Sequence, residues 1–107
     1  MPKRPTFTII LAPEVEDHLV VIERKYLGLL RREINEQLTF RPLVETRNRK
    51  PLEQPAPFSS TWELRCGPDN RFRVFYDVDI EENVVSILAI GLKDRTRLTF
   101  GGEEYQS

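Results

Sequence analysis

Two segments in the second half of the chain restrict the fold more than any other feature. In Thr61 to Cys66 and Phe72 to Val78, apolar and polar residues alternate, which is the pattern of strands with one buried face. The four residues between them, Gly67 to Asn70, are all strong turn formers. The pattern therefore predicts an antiparallel hairpin whose buried side chains are Trp62, Leu64, Phe72 and Val74.

Three further elements follow from the rest of the chain. Thr6 to Leu11 is short, apolar and bounded by prolines, so it is predicted to be a strand. Between Val15 and Leu38 apolar residues recur every three or four positions in two stripes, interrupted around Lys25 to Gly28, which indicates two helices packed as a hairpin. Val84 to Ile90 is apolar on both faces and predicts a central strand that ends before Gly91.

The order of strand, two helices and three strands predicts an α+β fold with the helices on one face of a single sheet. We expect about four strands, with Thr6 to Leu11 beside the hairpin. A chain of 107 residues fits one domain, residues 1–107.

Two segments are predicted to be irregular. Phe40 to Ser60 contains four prolines, which remove backbone donors and block helices and central strands. We expect a long loop there, and loops of about 20 residues are usually functional or mobile. The tail from Gly101 onward, GGEEYQS, is also expected to be flexible.

Composition narrows the class of protein. Hydrophobic residues make up 39% and charged residues 31%, as in a globular protein that folds around a core. The apolar runs are too short to span a bilayer, and no signal peptide is evident at the N-terminus, so a cytoplasmic location is expected.

The one cysteine, Cys66, excludes an intrachain disulfide and a cysteine-cluster metal site, and its place in a strand indicates a buried thiol. No metal and no cofactor are predicted.

Charge is distributed unevenly although the formal net charge is only -1. Residues 41–73 and 93–97 together carry ten basic side chains against five acidic ones, whereas the remainder is acidic. Such segregation fits a face that binds nucleic acid or phosphate, or a solvated surface of mixed charge.

The predicted hairpin places cations on its exposed face. Arg65 and Arg73 should share the face opposite the core, with Lys93 nearby after the last strand. Cations gathered at one concavity can stabilise the charge that develops on phosphorus when a 2′-hydroxyl attacks RNA. In the alternative interpretation, Arg65 and Arg73 form ion pairs with Glu63 and Asp77 and only solubilise the sheet.

The motifs resemble those of the RelE/ParE superfamily of toxins from type II toxin–antitoxin systems. NRKPL is similar to the family's KPL-like loop, WELR to its W-x-L-R strand, RFRVFY to its R-x-x-Y strand and LAIGLK to its last apolar strand ending in glycine. The resemblance extends from the first strand to Gly91. It implies a RelE-like fold and, for the RelE branch, metal-independent cleavage of messenger RNA on the ribosome.

The resemblance also implies roles for individual residues. Arg73 matches the family's arginine in R-x-x-Y and Lys93 its basic residue after the glycine; with Arg65 they form the predicted catalytic set. The predicted RNA-binding residues are Arg47, Arg49, Lys50, Arg71 and Arg95. A basic position of active members falls on Thr61 and Glu63, and the C-terminal tyrosine falls on Thr99, or on Tyr105 after realignment. His18 is expected on a helix away from the sheet and is not a catalytic candidate.

These departures leave enzymatic activity open. Glu63 is a candidate base, or a partner that neutralises an arginine. Three functions remain: a ribosome-dependent mRNA endoribonuclease that inhibits translation, a ParE-like inhibitor of DNA gyrase, and a RelE-fold binding module without catalysis. The expected partners are a cognate antitoxin protein, the ribosome and mRNA, with no membrane.

Overall fold

The structure is a computed structural model that describes residues 5–106, and within this range the chain forms two α-helices and seven strands. The helices are α1 (Val15–Val20) and α2 (Leu27–Leu38). The strands are β1 (Thr8–Leu11), β2 (Arg49–Pro51), β3 (Trp62–Cys66), β4 (Phe72–Asp79), β5 (Val84–Asp94), β6 (Arg97–Phe100) and β7 (Glu103–Glu104). Short 3-10 turns occupy Arg24–Tyr26, Pro57–Ser59 and Pro68–Asn70.

All seven strands belong to one sheet. Strands β2 to β7 follow one another in sequence order as antiparallel neighbours, and β1 adds to β5 in parallel. Side chains from both helices pack with one face of β3, β4 and β5 in the main apolar core. The predicted α+β class, with helices on one sheet face, is confirmed. No helix within residues 5–106 is long and apolar enough to cross a membrane.

The position of β1 differs from the prediction. It does not lie beside the hairpin but pairs with β5, with Thr8 opposite Val84 and Leu11 opposite Ile87. The outer edge of β3 is occupied by β2 instead. Parallel strands need a long crossover connection, and the helices, together with the strands that follow them, supply it.

The central strand β5 is longer than predicted because Gly91 does not end it. A Cβ at Gly91 would lie 2.8 Å from the Phe100 ring and 2.9 Å from the Leu98 side chain. The missing side chain at Gly91 therefore serves close packing against β6, and β5 continues to Asp94.

The tail expected to be flexible forms the last hairpin of the sheet. Phe100 pairs with Glu103, and the two glycines between them have φ angles of 59° and 87°. A tight two-residue turn with both residues in the left-handed region favours glycine, because glycine has no Cβ to clash.

The proline-rich segment Phe40 to Ser60 is not wholly a loop, since it contains β2. Pro51 ends this strand, and β2 is an edge strand, where a missing amide donor is tolerated. The prediction of a structureless segment was therefore wrong for these three residues.

The core contains the predicted hairpin residues. Leu64, Phe72 and Val74 are at most 1% exposed, as predicted, whereas Trp62 is half-buried and stacks on Tyr76 with ring centroids 6.2 Å apart. Cys66 is buried as expected. Burial, with a smaller contribution from Glu33, raises the pKa of its thiol to about 12, so the thiol stays protonated at neutral pH.

Arg49 fixes the segment after α2 to the body of the protein. Its Nε donates to the Val44 carbonyl at 3.0 Å, and its Nη1 donates to the carbonyl and side-chain oxygens of Gln37 at 2.6 and 2.9 Å. The Tyr76 hydroxyl donates to the Pro42 carbonyl at 2.7 Å. A cation beside carbonyls in the last turn of a helix also interacts favourably with the helix dipole.

Replacing Arg49 by methionine should lower the free energy of unfolding by about 1.5 to 3 kcal/mol, because hydrogen bonds from a charged donor are lost and the carbonyl oxygens lose their partner. Urea denaturation measures the change. Arg49→Lys is the matched control: it keeps the charge but not the planar fork, so its loss should be smaller. Equal stability of Arg49→Met and wild type would contradict this structural role.

His18 lies at the edge of the central strand and accepts a hydrogen bond from it, contrary to the expectation that it lies away from the sheet. β1 covers this edge of β5 as far as Ile87, and β6 begins to pair at Leu92. In the gap, the Ile90 amide donates to His18 Nδ1 at 3.2 Å. His18 is only 6% exposed, and burial lowers its pKa, although Asp17 and Glu14 act in the opposite direction. Because Nδ1 accepts the hydrogen bond from the Ile90 amide, it must be unprotonated.

Stability should fall as the pH drops below about 6.5, the ordinary pKa of histidine. The unfolded chain then binds a proton that the folded His18 resists, so the folded state loses free energy relative to the unfolded state. Thermal unfolding of wild type and His18→Asn across this window tests the effect. Asparagine retains an acceptor near the Nδ1 position without titrating, and this variant should lose the pH dependence that is assigned to His18.

Candidate nucleic-acid interface

One carboxylate organises the cations on the exposed face of the hairpin. Glu63 is 6% exposed, and its oxygens lie 3.2 Å from Arg65 Nε, 3.7 Å from Arg73 Nη1 and 3.9 Å from Lys50 Nζ. Three positive charges share one negative charge, so the cluster keeps a local excess of positive charge. Arg73 is the most buried of the three cations, with 15% of its side chain exposed.

Strand register accounts for this arrangement. β2 places Lys50 opposite Glu63, and β4 places Arg73 directly opposite Arg65. Like charges in directly opposed positions repel each other, and a carboxylate between them offsets the repulsion. The Arg73 guanidinium is held further by donation from its Nε to the Asn70 carbonyl at 2.9 Å.

Burial is the main influence on the pKa of Arg73 and lowers it. Glu63 acts in the opposite direction, and the neighbouring Arg65 adds to the lowering. An arginine remains protonated in spite of such shifts, because its ordinary pKa lies far above neutral pH. A partly desolvated permanent cation interacts more strongly with an incoming anion than a fully hydrated one does.

A groove of about 640 Å³ brings a second set of cations together where β4 begins and β5 ends. Arg73 and Lys93 line it, together with Arg71 and Arg95. Lys93 is placed there because its amide donates to the Arg71 carbonyl at 2.8 Å. The groove also has acidic residues in its lining, namely Glu23, Asp69 and Asp94.

The three predicted catalytic residues therefore lie in two adjoining sites. Arg73 and Lys93 share the groove, which we call the basic groove, whereas Arg65 lies outside it, opposite Arg73 on β3. Arg73 belongs to both the groove and the Glu63 cluster. Among the residues of the ion-pair interpretation, Glu63 does pair with both arginines, but Asp77 instead accepts hydrogen bonds from the amide and hydroxyl of Thr61.

The predicted RNA-binding residues also fall into different environments. Arg71 and Arg95 line the basic groove, Lys50 is exposed beside Glu63, and Arg47 is exposed in the segment before β2. Arg49 is 7% exposed and donates to the oxygens of Val44 and Gln37, so it does not join the exposed cations. Its position beside two exposed basic residues in the sequence concealed this inward orientation.

An aromatic cluster borders the cations and was missed by the sequence reasoning. Phe75 and Ala89 pack with Phe100, and Leu52, Leu98 and Tyr105 lie around them. The Tyr105 ring meets Phe100 edge to face at 6.1 Å, and its amide donates to the Leu98 carbonyl. Thr99 pairs with Leu92. The alternation of Leu98 and Phe100 before two glycines was the signal for this hairpin.

Taken together, these residues suit a ligand that is both anionic and aromatic. Guanidinium and ammonium groups on a sheet face bind phosphate, and neighbouring aromatic rings bind bases. Within residues 5–106, no group of three or more His, Cys, Asp or Glu side chains is arranged to hold a metal ion.

Comparison with known proteins adds a structural relative. No family model matches the chain, and no curated protein matches it. Among solved structures, a chain of the toxin–antitoxin complex RelBE2 from Mycobacterium tuberculosis is similar, with a TM-score of 0.69 and 22% sequence identity over 87% of this chain and 98% of that chain. The likeness demonstrates a RelE-like fold for the protein described here.

Proposed function

We propose that the protein is the toxin of a type II toxin–antitoxin system and that it inhibits translation by cutting ribosome-bound mRNA. The observation that carries this proposal is the convergence of Arg73 and Lys93 in one groove, next to Arg65 on the neighbouring strand. The RelE-like fold, and the toxin–antitoxin complex in which the similar chain was solved, support the toxin part of this proposal.

The proposed reaction needs electrostatic stabilisation above all. The 2′-hydroxyl oxygen attacks the adjacent phosphorus, the bond to the 5′-oxygen breaks, and a 2′,3′-cyclic phosphate and a 5′-hydroxyl result. The proton lost by the 2′-hydroxyl is balanced by the one gained at the 5′-oxygen. Negative charge grows on the phosphoryl oxygens, and preorganised cations such as Arg73 and Lys93 stabilise it.

Glu63 has the role of a counterion in this proposal. Its two carboxylate oxygens lie 3.2 Å from Arg65 and 3.7 Å from Arg73, so both oxygens are already engaged by guanidinium groups. It holds the two arginines close together in the absence of RNA. A phosphate that binds there would share these arginines with Glu63.

An antitoxin partner is the second part of the proposal. An apolar groove of about 560 Å³ lies on the helical side of the sheet. Its apolar lining comes from β1, both helices and β5: Ile9, Leu11, Leu19, Leu27, Leu30, Ile34 and Ile90. Leu11 is about half exposed in this groove, and such a surface fits an apolar segment of a protein partner.

Substitution of Arg73 by alanine should reduce cleavage about 100- to 1000-fold, the effect of removing about 2.7 to 4 kcal/mol of charge stabilisation. Primer extension on ribosome-bound mRNA measures cleavage, and growth after induction reports toxicity. Arg32→Ala, an exposed arginine on α2, is the matched control and should retain wild-type cleavage.

The Glu63→Gln variant separates the two roles of the carboxylate. Unchanged or increased cleavage is expected of a counterion, whereas loss of cleavage would identify a base.

Harmless expression of the wild type would contradict the toxin function and favour a RelE-fold binding module, in which Glu63 neutralises the arginines. Toxicity with intact mRNA and damaged DNA would favour a ParE-like action on gyrase.

A further inference from the structure

A strained turn holds an exposed aromatic ring next to the cationic face. Phe58 has φ 56° and ψ 25°, in the left-handed region that bulky residues rarely adopt, and the following residue, Ser59, also has a positive φ. Phe58 nevertheless remains 45% exposed. Since this conformation costs free energy and does not bury the ring completely, burial alone does not account for it.

Hydrogen bonds around the turn hold the strained backbone in place. The Ser59 amide donates to the Ala56 carbonyl at 3.0 Å, and the buried Ser60 hydroxyl donates to the Pro57 carbonyl at 2.7 Å. The Gln54 side-chain amide donates to the Ser60 carbonyl at 2.8 Å. The turn is therefore fixed from several sides, as strained segments at functional sites commonly are.

The Phe58 ring is braced by two other rings. Its centroid lies 5.1 Å from that of Phe100 and 5.5 Å from that of His18, both in edge-to-face arrangements. Phe100 and His18 are at most 8% exposed, so they support the ring from the inside. Phe58 is thus presented to solvent in a fixed orientation, with little conformational entropy left to lose when a ligand binds.

The braced ring lies near the proposed phosphate-binding cations. Phe100 packs over Gly91, and Gly91 is the cross-strand partner of Arg73. Phe100 and Arg73 are on β6 and β4, two strand spacings or about 10 Å apart. A short single-stranded segment can therefore contact both the cations and the Phe58 ring.

We propose that Phe58 stacks on an unpaired base of the RNA whose phosphates are bound by Arg73 and its neighbours. This inference rests on the proposed action on RNA and adds a residue that fixes the position of one base relative to the cut bond. An aromatic platform next to a positively charged surface is the combination found in proteins that bind single strands. A protein partner at this face is less favoured, because Phe100, which braces the ring, packs over the cross-strand partner of Arg73, whereas the apolar groove lies on the helical side.

The test uses the full chain and a single-stranded oligouridine that carries one 2-aminopurine. Anisotropy at low ionic strength measures affinity, and quenching of 2-aminopurine fluorescence reports stacking. Phe58→Leu keeps apolar bulk but removes the π face, so it should weaken binding about 5- to 150-fold, as expected for one lost stacking contact. The quenching should be lost as well, whereas Phe58→Trp should retain both signals.

Phe40→Leu is the matched control, since Phe40 is 49% exposed and lies in the segment after α2. It should bind and quench as the wild type does. Equal quenching by Phe58→Leu and wild type, or no RNA binding by the wild type, would overturn the stacking role. A Phe58→Leu variant with normal RNA affinity but weaker binding to the antitoxin would overturn it in favour of a protein contact.

The oligonucleotide assay and the mRNA-cleavage assay together separate this inference from the proposed function. If the wild type binds with quenching but does not cut ribosome-bound mRNA, stacking stands and the nuclease function fails. If the wild type cuts mRNA in an Arg73-dependent way and Phe58→Leu behaves as wild type in both assays, the function stands and the stacking role fails.

Discussion

The structure depends on the pairing of one central strand. β5 pairs with β4 along one edge, while β1 and β6 share the other edge and leave a gap between them. The Ile90 amide in that gap finds its acceptor in His18, from α1. A buried amide without a partner would cost about 1 to 3 kcal/mol. This single hydrogen bond therefore connects the first helix to the sheet that carries the basic groove.

The two faces of the sheet are chemically different. On the helical side of the sheet, apolar side chains form the main core and an apolar groove. On the opposite face, β3 and β4 present cations around the buried carboxylate of Glu63, and an aromatic cluster follows next to them. This division is the basis of the proposed function, in which a protein partner binds one side and RNA the other.

Particular residues show why part of the site could be predicted. Alternation in β3 and β4 placed Arg65 and Arg73 on one face and Leu64 and Val74 on the other, because side chains along a strand alternate without regard to the rest of the fold. The turn residues between the strands fixed their antiparallel pairing. The same alternation predicted that Glu63 lies on the face of the arginines. The sequence left two roles open for it, a base or an ion-pair partner of an arginine.

Local patterns in the sequence thus determined the α+β class, the hairpin and the face of its arginines, since turn chemistry and side-chain alternation act over a few residues. Only the tertiary structure decided the place of β1 beside β5, the inward orientation of Arg49 and the position of Phe58 against Phe100. Each of these depends on a partner distant in the sequence. A local pattern contains no information about such a partner, so the inward orientation of Arg49, one of three basic residues close together in the sequence, could only be found in the folded chain.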